Sequence, residues 1–272
     1  MNFVCFNGKY INDNELLFNA QNRSFRYGDG VFETIKVFQN NIMLADYHFD
    51  RLFTSLRLLQ IGIDENFTAE ELSKYIIQLC SKNQCSDLAR VRLAVFRNKE
   101  NKCEFIIEGF PLSIEVMKMN EIGLTIGLYP FVRKQCDVFA NLKTANYLPY
   151  VMSEIYARER GWDQSIVLNS QNKICDASKA NVFLILKNEI YTPALHQGCI
   201  NGVMRRFIIE RLKKSGFLVN QTEVDENMLL NADEVFLTNA IIGIKWVQQF
   251  KNVIYNNQIT SKIFDELIIN PQ

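Results

Sequence analysis

Hydrophobic and polar positions alternate along this chain with two different periods, and each change of period marks a predicted element. Residues 3–6 are a short apolar run ending at Asn7-Gly8, the dipeptide best suited to a two-residue hairpin turn, so a return strand is predicted at 9–11. Beyond Arg23-Ser-Phe-Arg-Tyr-Gly-Asp-Gly-Val-Phe-Glu33, the alternation over 33–38 predicts a half-buried strand, which Gln39-Asn40-Asn41 turns round. Asp46 is placed to cap a helix whose apolar stripe is Phe49, Leu52, Phe53, Leu56 and Leu59, with Arg51 off that stripe. Thr68-Ala-Glu-Glu71 is a capping box opening a second helix that buries Leu72, Ile76 and Leu79. Two β-rich runs follow at 90–96 and 104–108.

The pattern breaks between Pro111 and Gly123, where a domain boundary is expected: an N-terminal domain of residues 1–115 and a C-terminal domain of residues 121–272. A β run at 124–128 opens the second domain. Residues 148–160 read as a helix, with Pro149 tolerated in its first turn and Gly161 as a stop. Strands at 164–168, 173–176 and 181–187, separated by Asn, Ser and Gly turns, predict a meander. Ile200-Asn-Gly-Val-Met-Arg205 opens a helix running through Leu212, and a glycine at a helix start lets backbone N–H groups face an anion. A strand at 235–238 and a helix at 260–269 close the chain.

At 272 residues the chain is long enough for two domains with substantial cores. Thirty basic and thirty acidic residues cancel, which leaves no electrostatic footprint for nucleic acid or an anionic membrane and points to a small-molecule substrate. The seven cysteines are scattered, odd in number and never paired as C-x-x-C, against both a disulfide framework and a metal site. No signal-like start and no membrane-length apolar run is found, so a cytoplasmic protein is expected. His48 and His196 lack an evident partner in sequence and read as structural or surface residues.

Lys143, between an apolar lead-in and a helix start in Asn141-Leu-Lys-Thr-Ala-Asn-Tyr147, is the candidate catalytic residue. Lysine becomes a nucleophile when burial or a nearby cation lowers its pKa, and its usual covalent partner is a carbonyl. Alone, such a residue reads as a solvated surface charge; the rest of the chain changes this. Tyr27-Gly-Asp-Gly-Val-Phe-Glu33, Arg51, Lys143-x-x-Asn146, Asp176-Ala-Ser-Lys-Ala-Asn-Val-Phe183, Asn201-Gly-Val-Met-Arg205 and Ala232-Asp-Glu-Val-Phe-Leu-Thr-Asn-Ala240 together resemble the class IV aminotransferase family of pyridoxal-phosphate enzymes. The resemblance runs from about residue 3 to residue 250, and six motifs in one order are specific where each alone is loose.

The resemblance implies an α+β fold: a smaller N-terminal α/β domain, a larger C-terminal domain with a β-barrel-like sheet and flanking helices, and pyridoxal phosphate in the cleft between them, in a homodimer. It assigns the cofactor's aldehyde to Lys143, its phosphate to Arg51 and the backbone amides of Val203 and Met204, and its pyridine nitrogen to Asp176, with Tyr147, Asn239 and Ala240 also on the cofactor. The family usually carries glutamate where Asp176 stands, and Ala240 replaces a phosphate-binding threonine of the branched-chain enzymes.

Within the family, Leu195-His-Gln-Gly-Cys-Ile-Asn-Gly-Val-Met-Arg-Arg-Phe207 and Thr238-Asn-Ala-Ile241 resemble 4-amino-4-deoxychorismate lyases, which eliminate pyruvate to give 4-aminobenzoate, a folate precursor. Against this, Glu33 occupies the place of the lyases' catalytic threonine, and Thr34 next to it faces the other side of the strand. Tyr147 follows the branched-chain pattern, so an aminotransferase acting on branched-chain or other amino acids is the alternative. Phe32 and Arg97-Asn-Lys lack the carboxylate-holding groups of the D-amino-acid enzymes. Glu33, Arg92 and Arg97 are the candidate substrate residues. A binding protein that keeps the fold and has lost the cofactor is a third reading, opposed by the presence of Lys143 and Arg51.

Overall fold

Asn7 and Gly8 both adopt positive φ, 48° and 83°, and join β1 (Phe3–Phe6) to β2 (Lys9–Asn12) as the hairpin the sequence predicts. The computed structural model describes residues 2–15 and 18–269. It groups the chain into two units, Met1–Val116 with Leu142–Tyr147, and Met117–Asn141 with Leu148–Gln272.

In the first unit the hairpin is followed by α1 (Arg23–Tyr27), β3 (Gly30–Phe38), β4 (Asn41–Ile42), α2 (Ala45–Leu58), α3 (Ala69–Lys82), β5 (Leu88–Arg97) and β6 (Cys103–Pro111). The strands form one six-stranded sheet in the order β2-β1-β6-β5-β3-β4. Its spine is the antiparallel pairing of β3 with β5, in register from Gly30 opposite Phe96 to Phe38 opposite Leu88. Gly30 makes that approach possible, because a Cβ there would lie 2.5 Å from the Val95 carbonyl oxygen. Side chains alternate along a strand, so Val31, Ile35 and Val37 share one face and pack with Leu52 and Leu56 of α2 and Leu72, Ile76 and Leu79 of α3. Each such fully buried side chain contributes about 1.5–3 kcal/mol. Glu33 falls on the same face by the same alternation, and a carboxylate there needs a buried partner.

Three expectations change here. β3 is not half-buried: among its residues only Thr34 and Phe38 escape full burial. Thr68 caps α3, accepting the Glu71 amide at 3.2 Å, but Asp46 does not cap α2. The N-cap is Leu44 in a left-handed conformation with φ 56°, which leaves Asp46 inside the first turn, where its charge complements the helix dipole. Finally, the lysine segment Leu142–Tyr147 belongs with the first unit instead of the C-terminal domain. Its backbone is stitched to β3 by the Phe32 amide on the Lys143 carbonyl at 2.9 Å and the Ala145 amide on the Gly30 carbonyl at 2.8 Å.

The second unit contains β7 (Leu124–Lys134), α4 (Leu148–Glu159), β8 (Gln164–Asn169), β9 (Ile174–Ala177), β10 (Asn181–Leu186), β11 (Glu189–Pro193), α5 (Val203–Lys214), β12 (Val219–Thr222), α6 (Glu226–Leu230), β13 (Glu234–Asn239), β14 (Gly243–Phe250), β15 (Val253–Ile254) and α7 (Gln258–Phe264). A π-helical turn, Asp265–Ile269, extends α7. Nine strands form one sheet ordered β12-β11-β10-β13-β14-β7-β8-β9, with β15 beside β14. The Ile174 amide of β9 donates to the Val224 carbonyl just past β12 at 2.7 Å, so the two ends of the path meet and the sheet curls into a half-barrel. The mixed α+β class and the curled sheet with flanking helices are as expected. The simple meander is not: β8 and β9 pair, but β10 lies between β11 and β13.

Candidate active site

The Lys143 amine lies 4.8 Å from the centre of the Phe32 ring and 5.6 Å from that of Tyr147. The two rings meet edge to face at 5.2 Å, so they form an aromatic corner around a half-buried lysine. The backbone bonds to β3 fix the segment on both sides of the residue, and Val31 bridges to Thr144. Arg92, from β5, completes this corner: its guanidinium stacks 4.0 Å over Phe32 while its Nε lies 3.7 Å from Glu108. Burial lowers the Arg92 pKa against the pull of Glu108.

On the opposite face of β3, Arg51 donates Nε to one oxygen of Glu33 at 2.8 Å and Nη2 to the other at 2.5 Å. The His48 Nδ1 lies 2.6 Å from the second oxygen. All three are buried, Glu33 at 2% exposure. Burial would raise the Glu33 carboxyl, but Arg51 and His48 outweigh it and hold the pKa at about 2. Close as His48 and Glu33 are, burial lowers the His48 pKa in spite of the carboxylate, with Arg51 and Lys143 adding to the effect. Burial and the two neighbouring cations thus disfavour the charged imidazole, whose Nδ1 faces the carboxylate; Nε2 is buried and has no hydrogen-bond partner. Sequence reading placed Glu33 toward substrate and left His48 without a partner. The signal that could have found the pairing is the helix face: His48 and Arg51 are three apart and share a side of α2.

Arg97 is spent on structure. It donates Nε to Asp29 at 3.0 Å, Nη2 to the Leu59 carbonyl at 2.7 Å and Nη1 to the Gln60 carbonyl at 3.0 Å and to Asn101. Arg23 holds the same Asp29 at 2.7 Å; burial alone would raise that carboxyl, yet the two arginines lower it. Arg97 and Arg23 line a cavity of about 350 Å³ with Phe6, Phe18 and Glu104.

In the second unit Asp176, 2% exposed, lies next to last in β9 at a crowded junction. Its Oδ2 accepts from the Tyr150 hydroxyl at 2.6 Å and the Ile200 amide at 3.0 Å, and its Oδ1 accepts from Asn181 Nδ2 at 2.8 Å. Asn181 also donates to the Ile200 carbonyl at 2.9 Å, which binds Asp176 to the chain entering α5. Gly202 is the N-cap of α5 and offers its first amides no side-chain acceptor. A Cβ on Gly202 would lie 1.8 Å from Asn181 Oδ1. Val203 and Met204 follow, both buried. Asn239 builds a turn: its Oδ1 accepts the Ile241 and Ile242 amides, each at 2.9 Å, and its Nδ2 donates to the Lys179 carbonyl. Ala240 lies in that turn.

A family model described as amino-transferase class IV matches residues 30–250. The chain belongs to this family. An aminodeoxychorismate lyase of Bacillus subtilis is 29% identical over 270 residues, covering 94% of this chain and 89% of that protein. A D-alanine aminotransferase of Bacillus licheniformis is 28% identical, covering 87% of this chain and 84% of its own. Among solved structures, a branched-chain aminotransferase of Thermoproteus uzoniensis with norvaline superposes with a TM-score of 0.87 at 24% identity, over 97% of this chain and 92% of that one.

The chain is therefore a class IV enzyme dependent on pyridoxal phosphate and acting on a small molecule, and its residues fit that cofactor. An amine in an aromatic corner suits an aldehyde. The uncapped start of α5, beside a glycine where a Cβ would press on the Asn181 side chain, suits a phosphate. A buried carboxylate suits the pyridine nitrogen. The Thr238 hydroxyl, on β13 opposite Asn181, is buried without a hydrogen-bond partner. Among the described residues no group of His, Cys, Asp or Glu could hold a metal, and no helix is long and apolar enough to cross a membrane.

Proposed function

We propose that this protein is a 4-amino-4-deoxychorismate lyase with Lys143 as its catalytic residue. The observation that carries the reading is the Lys143 amine set between Phe32 and Tyr147 with the Arg92 cation on the same ring. In this assignment Lys143 takes the cofactor's aldehyde, Asp176 its pyridine nitrogen, and the amides of Val203 and Met204 with Arg51 its phosphate; Tyr147, Asn239 and Ala240 adjoin it. The bound cofactor supplies an electron sink for the carbanion formed at the carbon bearing the substrate's amine.

Lys143, once substrate has displaced it, accepts the proton from that carbon. The aromatic corner orients the amine, and Arg92 offers a charge-assisted partner to a substrate carboxylate. The enolpyruvyl C–O bond breaks, the departing oxygen takes a proton, and the six-membered ring becomes aromatic. The products are 4-aminobenzoate and pyruvate, with no other reactant consumed. Support comes from the Bacillus subtilis lyase relative and from the aspartate at position 176.

An aminotransferase reading is favoured by Glu33, whose buried pairing with Arg51 leaves no hydroxyl at the position expected of the lyases. The test is an assay of 4-amino-4-deoxychorismate for pyruvate and 4-aminobenzoate beside a panel of amino donors with 2-oxo acids. Brisk transamination without 4-aminobenzoate release overturns the lyase in favour of the aminotransferase. We further propose a cytoplasmic homodimer, supported by Phe25 and Tyr27, 83% and 62% exposed on a helix that buries nothing. Light scattering that gives the monomer mass overturns the dimer.

A further inference from the structure

We propose that Lys134 is a positioning residue whose ammonium weakens the hold of Asp176 on a protonated pyridine nitrogen. The proposal rests on the reading above, in which Asp176 faces that nitrogen. Lys134 closes β7, and its amine is fixed from three sides. It donates to the Ala140 carbonyl at 2.7 Å, lies 5.2 Å from the centre of the Tyr150 ring, and stands 3.5 Å from Asp176 Oδ2. Its side chain is only 13% exposed, so bulk water screens the pair weakly.

The donors around Asp176 are unevenly shared. Among the described residues, Oδ2 meets Tyr150, the Ile200 amide and Lys134, while Oδ1 accepts one hydrogen bond, from Asn181. A carboxylate has about four lone-pair sites, so the capacity that remains for the ring nitrogen is on Oδ1. A pyridinium placed there would be a second positive charge on a carboxylate that already neutralises an ammonium, and like charges sharing one anion oppose each other.

The groups facing Asp176 from the other elements reinforce this. Arg205 on α5, 2% exposed, is a second cation that interacts with it. Cys175, its neighbour on β9, and Cys199, before α5, are both raised by burial, Cys199 to about 12, and stay neutral thiols. Tyr150 is tied up as a donor. The carboxylate therefore has two cations and no second anion among these neighbours. Lys134 then tunes the electron sink through Asp176, and the aspartate, one methylene shorter than the glutamate usual in the family, is part of a built arrangement.

The experiment uses the whole chain reconstituted with pyridoxal phosphate labelled with ¹⁵N in the ring, as wild type, Lys134→Gln, Lys134→Met and Lys134→Arg. Borohydride fixation on Lys143 in the wild type is checked first, and its absence overturns the cofactor assignment itself. The ring-nitrogen chemical shift is then followed against pH. Expected is a protonation midpoint at least about one pH unit higher in Lys134→Gln and Lys134→Met, and a wild-type midpoint restored in Lys134→Arg. Lys134→Gln retains a donor for Ala140, so it remains informative if the methionine variant does not fold. Equal midpoints in wild type and Lys134→Gln, with cofactor bound in both, overturn the role of Lys134 and leave the assignment of Asp176 standing.

Discussion

Arg51 grips both oxygens of Glu33, through Nε at 2.8 Å and Nη2 at 2.5 Å, with the two side chains 8% and 3% exposed. The arginine that the family resemblance assigns to phosphate is thus also the counter-ion of a buried carboxylate. Arg51→Ala is expected to cost about 3–5 kcal/mol of stability, because it strands that carboxylate in the core. The measurement is a urea midpoint without cofactor. An unchanged midpoint would show that Glu33 finds water or another partner, and any loss of cofactor affinity in Arg51→Ala is interpretable only beside that result.

The same carboxylate predicts an acid response. Glu33 is held at about 2, below its ordinary value of 4.5. A depressed carboxyl binds fewer protons folded than unfolded, so its contribution is complete above about 4.5 and is lost as pH falls toward about 2. Stability measured between pH 5 and pH 2 should fall less steeply in Glu33→Gln, which has no proton to take up, than in wild type. Parallel slopes would contradict the depressed pKa.

Lys143→Ala should abolish turnover, by at least about a thousandfold, and remove the yellow colour that borohydride bleaches in wild type. Its stability should change by no more than about 1 kcal/mol, the scale of contacts such as those the amine makes with the Phe32 and Tyr147 rings. Retained activity in this variant would end the assignment of the lysine.

How much of this was readable from sequence depended on how local the cause was. The Asn7-Gly8 turn and the Thr68 cap are set by residues two or three apart, and both form as read. Lys143 was recognisable through motif order, but the contacts that place it, the Gly30 and Phe32 backbone and the Phe32 ring, come from more than a hundred positions upstream, so its unit was misassigned. Glu33, His48 and Arg51 lie on a strand and a helix whose facing sides are fixed only once the sheet has packed. Strands β11, β12 and β14 escape a sequence reading for a related reason: β14 is paired on both sides and irregularly buried, with Lys245, Gln248 and Gln249 partly exposed and the rest of Gly243–Phe250 buried, so no clean period of two survives in its sequence.

Gly202→Ala tests the junction at α5. The added methyl would lie 1.8 Å from Asn181 Oδ1, and Asn181 is the donor to Asp176 Oδ1, so relief of the clash must loosen the carboxylate. A destabilisation of about 1–3 kcal/mol is expected, with weaker pyridoxal-phosphate binding by fluorescence titration. Tight cofactor binding in a destabilised variant would separate packing from the proposed phosphate and ring contacts.

Arg92 and Arg97, indistinguishable in sequence as carboxylate binders, are expected to part company when each is changed to methionine. Arg92 lies over the ring that also contacts Lys143, and its ion pair with Glu108 at 3.7 Å is long and half exposed, so little stability depends on it. Arg97 instead satisfies Asp29 and two backbone carbonyls at once, and its removal leaves those acceptors and a partly buried carboxylate short of partners. Arg92→Met should therefore raise KM at least about tenfold while the melting temperature holds, the signature of lost substrate binding. Arg97→Met should lower stability by about 1–3 kcal/mol and leave KM within about twofold in the folded fraction. If Arg97→Met raised KM and Arg92→Met did not, the substrate's carboxylate would belong with Arg97, and the corner formed by Phe32, Tyr147 and Lys143 would serve the amine end of the substrate alone.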